Sequence, residues 1–324
     1  MKVIFNTYPT AFQCPGGGEI QLRKSMQALQ KRDVETIEFN PWKTVLSETD
    51  IVHYFSVQGG SMNFCNYVHN QGIPLVLSPI IWLGDTPEIY PVAEINALLD
   101  IADVICPNSN AEASQLSEYF NIPPEKFYVT HNGIDKIFTE HIDGQLFKHE
   151  YNIDSPFILC VGNIEPRKNQ LNLIKAVNKL GLTLVLIGNI RDQEYYNQCM
   201  SISTDKIKYI GTLEHHSPLL RSAYNACDLF ALPSTLETPG LAALEAAAAG
   251  SKILITKTGC TEEYFTSNAL YTDDDPSSIE KNILLALSSD TIPDATFARD
   301  LFWDNTAGEL INAYQMAINK YPKT

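Results

Sequence analysis

Short apolar runs of strand length alternate along the chain with polar loops and stretches of helical spacing. Val3-Ile4-Phe5 comes first, followed by a glycine-rich loop and a helical pattern from about Glu19 to Arg32. Runs at Ile51–Phe55, Pro74–Leu77 and Asp103–Cys106 repeat the theme, each with polar punctuation and helical spacing after it. Ser109-Asn110-Ala111-Glu112 has the capping-box form that opens a helix. The cycle restarts at Phe157–Val161 and continues through Leu182–Ile187, Leu229–Leu232 and Ser251–Thr256. Continuous apolar runs separated by helices predict parallel sheets covered on both faces. Between the two series, from about Asp135 to Ser155, the chain is polar and lacks apolar periodicity, which predicts a linker. A last periodic segment, about Asn305 to Asn319, predicts a closing helix.

A chain of 324 residues suits two such domains, expected over 1–137 and 150–304. In open α/β sheets ligands bind outside the carboxyl ends of the strands. The chemistry should therefore lie just after strands.

Composition and charge narrow the choice of partner. The net charge of -15 argues against nucleic acid, but an anionic ligand needs only local positive charge. One basic cluster, Arg23, Lys24, Lys31 and Arg32, falls within the first helix; it reads as a solvated face, with peripheral membrane contact as the weaker alternative. No apolar run reaches the roughly 18 residues a membrane span needs, and a strand beginning at Val3 predicts no signal peptide. Seven scattered cysteines without C-x-x-C spacing fit a reducing cytoplasm. The histidines form no metal pattern; His215 and His216 are adjacent, and sequence neighbours rarely share an ion, so no zinc site is expected.

Three post-strand segments carry candidate chemistry. Cys14-Pro15-Gly16-Gly17-Gly18-Glu19 joins the first strand to the first helix. It is either a plain turn or a place where backbone amides approach an anion. It is not a dinucleotide fingerprint, because the third glycine position falls on Gln21. Val161-Gly162-Asn163-Ile164-Glu165-Pro166-Arg167-Lys168-Asn169 leads from a strand into a helix. Cations at a helix N-terminus oppose its dipole unless an anion sits between them, so Arg167 and Lys168 mark either a diphosphate site or two solvated surface cations. Glu237-Thr238-Pro239-Gly240-Leu241-Ala242-Ala243-Leu244-Glu245 places one carboxylate on a loop and one in an Ala-rich helix that Gly250 ends. Two carboxylates suit a polyol, since each accepts hydrogen bonds from adjacent hydroxyls; each also has an ordinary structural reading. Gly188-Asn189 and Gly211-Thr212-Leu213 follow further strands, as nucleotide contacts or plain turns.

Taken together, these residues resemble family 4 of the retaining glycosyltransferases, whose α/β GT-B fold sets two Rossmann-like domains with their parallel sheets facing across a cleft. Glu237 and Glu245 match its E-x7-E element, and Glu165–Asn169 its phosphate motif. Thr130–Asp135 is similar to its hinge approach, and Thr258–Phe265 to the segment after the next strand. The likeness is strongest over about 155–275. The resemblance implies that Arg167 and Lys168 hold the donor diphosphate, that Glu245 binds the ribose hydroxyls and that Glu237 contacts the transferred sugar. Thr238, Pro239, Gly240 and Leu241 would hold the sugar and distal phosphate, with Gly162, Asn163, Gly188 and Asn189 as further donor contacts. Gly211, Thr212 and Leu213 would line the base pocket, Gly17 and Gly18 would approach from the other domain, and the last helix, about 305–324, would return to the first domain. It further implies a metal-independent, cofactor-free hexosyltransferase. The donor would be a UDP-, GDP- or ADP-sugar and the acceptor a glycan or lipid-linked glycan of cell-surface polysaccharide, made in the cytoplasm or at the inner face of the membrane. Two departures stand out: Asn163 occupies a position where the family often has Arg, and no histidine follows Val76-Leu77. A sugar-nucleotide epimerase and an inactive nucleotide-sugar-binding paralogue are the alternatives, because the fold alone does not fix the reaction.

Overall fold

The computed structural model describes residues 1–13, 15–84, 86–289, 292–294 and 296–321. They divide into two compact units, Met1–Gly133 with the segment from Leu301, and Ile134–Asp300.

The first unit runs β1 (Lys2–Asn6), α1 (Gly17–Gln30), β2 (Glu35–Glu38), β3 (Ile51–Phe55), α2 (Met62–Asn70), β4 (Leu75–Ser78), α3 (Val92–Ile101), β5 (Val104–Ile105) and α4 (Asn110–Phe120). Its sheet has the order β2-β1-β3-β4-β5 and every pairing is parallel. The helices cover both faces, so the strands are buried on both sides; all five residues of β3 are buried. Half of the expected capping box is present at α4: Ser109 Oγ accepts from the Glu112 amide at 3.0 Å, while the Glu112 carboxylate accepts from the Asn108 and Ile81 amides at 2.8 and 3.0 Å and not from that of Ser109. Helix α1 begins at Gly17, earlier than expected, because the Glu19 carboxylate reaches back to the Gly16 amide at 2.6 Å and fixes the first turn. On that helix Arg23 lies over the Phe12 ring at 4.3 Å and pairs with Glu38 at 3.9 Å.

The second unit contains α5 (Gln145–Tyr151), β6 (Phe157–Val161), α6 (Gln170–Leu180), β7 (Thr183–Ile187), α7 (Gln193–Ser201), β8 (Ile207–Gly211), α8 (Pro218–Ala226), β9 (Leu229–Leu232), α9 (Leu241–Ala248), β10 (Ile253–Thr256), α10 (Thr261–Phe265), β11 (Leu270–Thr272) and α11 (Pro276–Ser288). Its parallel sheet has the order β11-β10-β9-β6-β7-β8. The chain builds outward from β6 through β7 to β8, then crosses to β9 and builds the other way. The gap between β6 and β9 is therefore a topological switch point, where the connections leave in opposite directions and open a crevice at the carboxyl ends.

The stretch expected to be a linker belongs to this second unit. Its apolar residues are few but well placed: Phe147 on α5 is fully buried and lies 5.9 Å from Phe157, while Phe138 is buried 5.9 Å from Tyr224. Sparse spacing hid a docked helix, since one buried aromatic, Phe147, anchors its seven residues and Phe138 anchors the turn before it.

The chain ends with α12 (Trp303–Ile318), part of the first unit. It is tied there by a buried polar cluster: His53 Nδ1 lies 2.8 Å from Tyr314 Oη, and His53 Nε2 lies 2.9 Å from Ser78 Oγ. Burial pushes the His53 imidazole down to about 3, because the charged form would have to leave water. Among the described residues no helix is long and apolar enough to cross a membrane.

Candidate functional site

The switch point of the second unit is built from the loops after β6 and β9. The first leaves Val161 through Gly162, Asn163, Ile164 and Glu165, makes a turn of 3-10 helix over Pro166–Lys168, and enters α6 through Asn169. Proline suits the first position of that turn because its fixed φ is already helical. Asn169 adopts the left-handed conformation with φ 58, which Asn tolerates. Its Nδ2 donates to Pro233 O at 2.9 Å and Asp274 O at 2.7 Å, fastening this loop to the end of β9.

The second loop runs from Pro233 to Gly240 and then into α9. Gly259 is the residue that fixes it. A Cβ at Gly259 would stand 1.9 Å from Glu237 O, so only glycine lets the two segments touch. The Ala-rich α9 lies close to the sheet, with Ala243, Leu244, Ala246 and Ala247 buried.

These loops bring Lys168, Arg167 and Glu237 together. Lys168 Nζ donates to Glu237 Oε1 at 2.5 Å, and Ser234 Oγ donates to the same oxygen at 2.6 Å. Arg167 Nη1 donates to Leu236 O at 3.0 Å and lies 3.8 Å from Glu237 Oε1. Burial works to raise the Glu237 carboxyl, but Lys168, Arg167 and the hydrogen bonds from Lys168 and Ser234 outweigh it and hold it below the usual carboxylate range. Glu165 bridges Arg167 Nη2 at 3.1 Å and Arg191 Nη1 at 3.2 Å. Lys168, Arg167 and Arg191 thus gather around the Glu237 and Glu165 carboxylates. The Arg167 side chain is 45% exposed against 4% for Glu237, so its positive charge reaches the surface.

Glu245 belongs to a separate cluster. Its Oε1 accepts from His215 Nε2 at 2.6 Å and its Oε2 from Tyr224 Oη at 3.0 Å. The other post-strand residues line up beside β6. The Gly162 amide donates to Ile187 O and the Gly188 amide to Gly211 O. A Cβ at Gly188 would meet Gly162 O at 2.0 Å. Asn189 Oδ1 accepts from Thr212 Oγ1 at 2.8 Å, and Leu213 is half-buried. Asn163 gives its carbonyl to Gln170 Nε2. Thr238 and Pro239 complete the turn into Gly240 and Leu241. Gly17 and Gly18 start α1 in the first unit; a Cβ at Gly17 would meet nothing within 4 Å, so the unit's own packing does not require glycine there. Cys14 of that loop lies outside the described residues.

Sequence reasoning missed Ser234, Tyr224 and Arg191. Nothing local marks them, since their roles depend on partners three to 26 residues away. In sequence, His215 and His216 stand only beside each other. The fold sets Asp135 beside them, and one ligand atom from each of the three lies within 4.8 Å of the others. His/carboxylate sets of this kind suit zinc-like ions, yet His216 Nε2 is already paired with Asp135 Oδ2 at 2.8 Å and His215 Nε2 with Glu245.

Residues 142–298 match the family described as Glycosyl transferases group 1. A D-inositol 3-phosphate glycosyltransferase of Mycobacteroides abscessus is 26% identical over 258 residues, 74% of this chain and 57% of that protein. An uncharacterized glycosyltransferase of Methanocaldococcus jannaschii is 26% identical over 235 residues, 65% of this chain and 59% of that protein. The chain therefore spans less than two thirds of the length of these relatives. Among solved structures, Anabaena HepE in complex with UDP aligns over 99% of this chain and 98% of its own, with a TM-score of 0.72 and 19% identity. Sucrose-phosphate synthase from Thermosynechococcus elongatus aligns over 99% and 97%, with a TM-score of 0.74 and 16% identity. At such identities the likeness is one of fold: two parallel-sheet α/β units of the GT-B kind.

Proposed function

We propose that the chain is a retaining, nucleotide-sugar-dependent glycosyltransferase acting on a glycan or lipid-linked glycan. The observation that carries this reading is the set of Lys168, Arg167 and Glu237 at the Rossmann switch point between β6 and β9. The sequence match over 142–298 and the names of the relatives support it.

The chemistry follows from the charges. Breaking the bond between the sugar C1 and the donor diphosphate builds negative charge on the departing oxygen. Lys168 and Arg167 are already in place to receive it, so little reorganisation is needed in the transition state. The side-chain cations supply the neutralisation, which makes the transfer independent of a resident metal. Glu237 loses part of its hold on Lys168 to the diphosphate and turns its freed acceptor capacity to the sugar hydroxyls. Glu245 accepts the ribose diol. The acceptor oxygen forms its bond to C1 on the face the diphosphate leaves, and its proton passes to the departing phosphate.

Thermal stabilisation by UDP, GDP, ADP and CMP tests the donor site. UDP comes first, because Anabaena HepE has been crystallised with UDP and with UDP-glucose. A ligand at 100 times its Kd adds about 2.7 kcal/mol. The expected result is stabilisation by one nucleoside diphosphate, lost in Lys168→Ala relative to that variant's own ligand-free midpoint. Stabilisation by none of the four overturns the proposal.

A further inference from the structure

Glu245 presents a physical puzzle. Its side chain is 8% exposed, and among the described residues no lysine or arginine pairs with it. Burying a carboxylate is costly without compensation, and a neutral side chain would fill α9 more cheaply. What the carboxylate offers instead is acceptor-only chemistry, with about four lone-pair sites on two oxygens. The fold gives each oxygen one fixed donor and leaves the rest of that capacity unused.

Both donors are themselves held. Tyr224 is buried, with its ring 5.9 Å from Phe138 and 5.9 Å from Phe230. Burial and the adjacent Glu245 push its hydroxyl well above the usual tyrosine range, so it remains an O–H donor. The His215 ring lies 5.3 Å from Phe138 and 4.7 Å from His216, and His216 is anchored by Asp135. With Nε2 facing a carboxylate oxygen at 2.6 Å, that nitrogen carries the proton. Glu245 would otherwise sample several rotamers; two donors on opposite oxygens select one.

We propose that His215 and Tyr224 are positioning residues that lock the Glu245 carboxylate as a two-oxygen acceptor for a vicinal diol, and so set the preference of the site for a ribonucleotide over its 2′,3′-dideoxy form. The proposal rests on the donor-site reading above. It adds the two residues that neither the motif nor the family likeness assigns.

Isothermal titration with UDP and with 2′,3′-dideoxy-UDP is the test, on the full chain and on Tyr224→Phe, His215→Ala and His215→Gln, each checked for an intact unfolding transition. The full chain should bind UDP at least tenfold more tightly than the dideoxy form. Tyr224→Phe and His215→Ala should each weaken UDP about tenfold while the dideoxy form changes less than twofold. His215→Gln, which keeps a donor near the Nε2 position, should recover part of the loss. Equal weakening of both ligands would mean a merely structural role and overturns the inference, as does unchanged binding in every variant. A full chain that binds UDP without preferring the ribose also overturns it while leaving the diphosphate site standing. A full chain that binds neither ligand overturns the donor-site reading itself, and this inference with it.

Discussion

Each unit has a switch point, and the two are finished in opposite ways. In the first unit, β2 and β3 flank β1, so the crevice opens between β1 and β3. Thr7 Oγ1 donates to Phe55 O at 3.0 Å across it. Tyr8, after β1, packs against the loop after β3: a Cβ on Gly59 would stand 2.7 Å from the Tyr8 Cβ. The nearby charge, Glu19, has its oxygens taken by Tyr8 Oη and the Gly16 amide. In the second unit the corresponding place holds Lys168, Arg167 and Glu237, with the Arg167 side chain 45% exposed. The same architecture supplies a crevice twice. What separates a closed one from one that carries chemistry is whether its polar groups are satisfied by the fold alone.

The largest expected effect comes from breaking the charged switch point. Lys168→Ala should lower kcat by about 10²–10³-fold, as deletions of single transition-state donors do. It should also lower stability, by up to about 3–5 kcal/mol, because it strands a buried carboxylate. Adding Glu237→Gln removes that stranded charge. The double variant should regain its unfolding midpoint without regaining turnover. Near-normal turnover in Lys168→Ala would remove the contrast between the two crevices.

Two glycine substitutions sharpen the same contrast. Gly259→Ala must displace the backbone of Glu237, since its Cβ would lie 1.9 Å from Glu237 O. Nucleoside diphosphate affinity should fall tenfold or more, together with stability. Gly59→Ala meets the Tyr8 side chain and a φ of +83, and should cost about 1–3 kcal/mol of stability with the affinity unchanged. Equal losses of affinity in calorimetric titrations of the two variants would show that the crevices are not functionally distinct.

How much of this was legible in the sequence follows from what each residue needs. The central strands are apolar runs because both their faces are buried, and they stand out. Strands β2 and β11 do not: each lies at a sheet edge, and Glu35-Thr36-Ile37-Glu38 carries no apolar run to notice. Lys168, Arg167 and Glu237 were visible because they sit in short segments directly after strands. Their pairing was not, because Lys168 and Glu237 are 69 residues apart and meet only when β9 takes its place beside β6. The same holds for His215 and Tyr224 against Glu245, and for α5, whose burial depends on Phe157 and Ser222 rather than on its own periodicity.

The smallest effect separates the units along the pH axis. His53 is held at about 3 in the folded first unit, against 6.5 when free. The unfolded chain therefore takes up a proton that the folded one refuses. The stability linked to this group is complete above pH 6.5 and declines as pH falls from there toward 3. Glu237 is depressed below 4.5 in the second unit, so its contribution is complete above that value and is lost only as pH falls through the lower, folded one. Between pH 6.5 and 4.5 the His53 term weakens the first unit while the Glu237 term leaves the second untouched. Trp42, Trp82 and Trp303 all belong to the first unit, so tryptophan fluorescence reports it alone. Urea midpoints read by fluorescence should correspond to a loss of about 1 kcal/mol between pH 7.5 and pH 6. Hydrogen-exchange protection in β6 and β9, corrected for the intrinsic pH dependence of amide exchange, should stay constant over the same interval. In His53→Gln, which has no imidazole to titrate, the fluorescence midpoint should lose this dependence; a slope that persists there would place the acid sensitivity elsewhere in the unit.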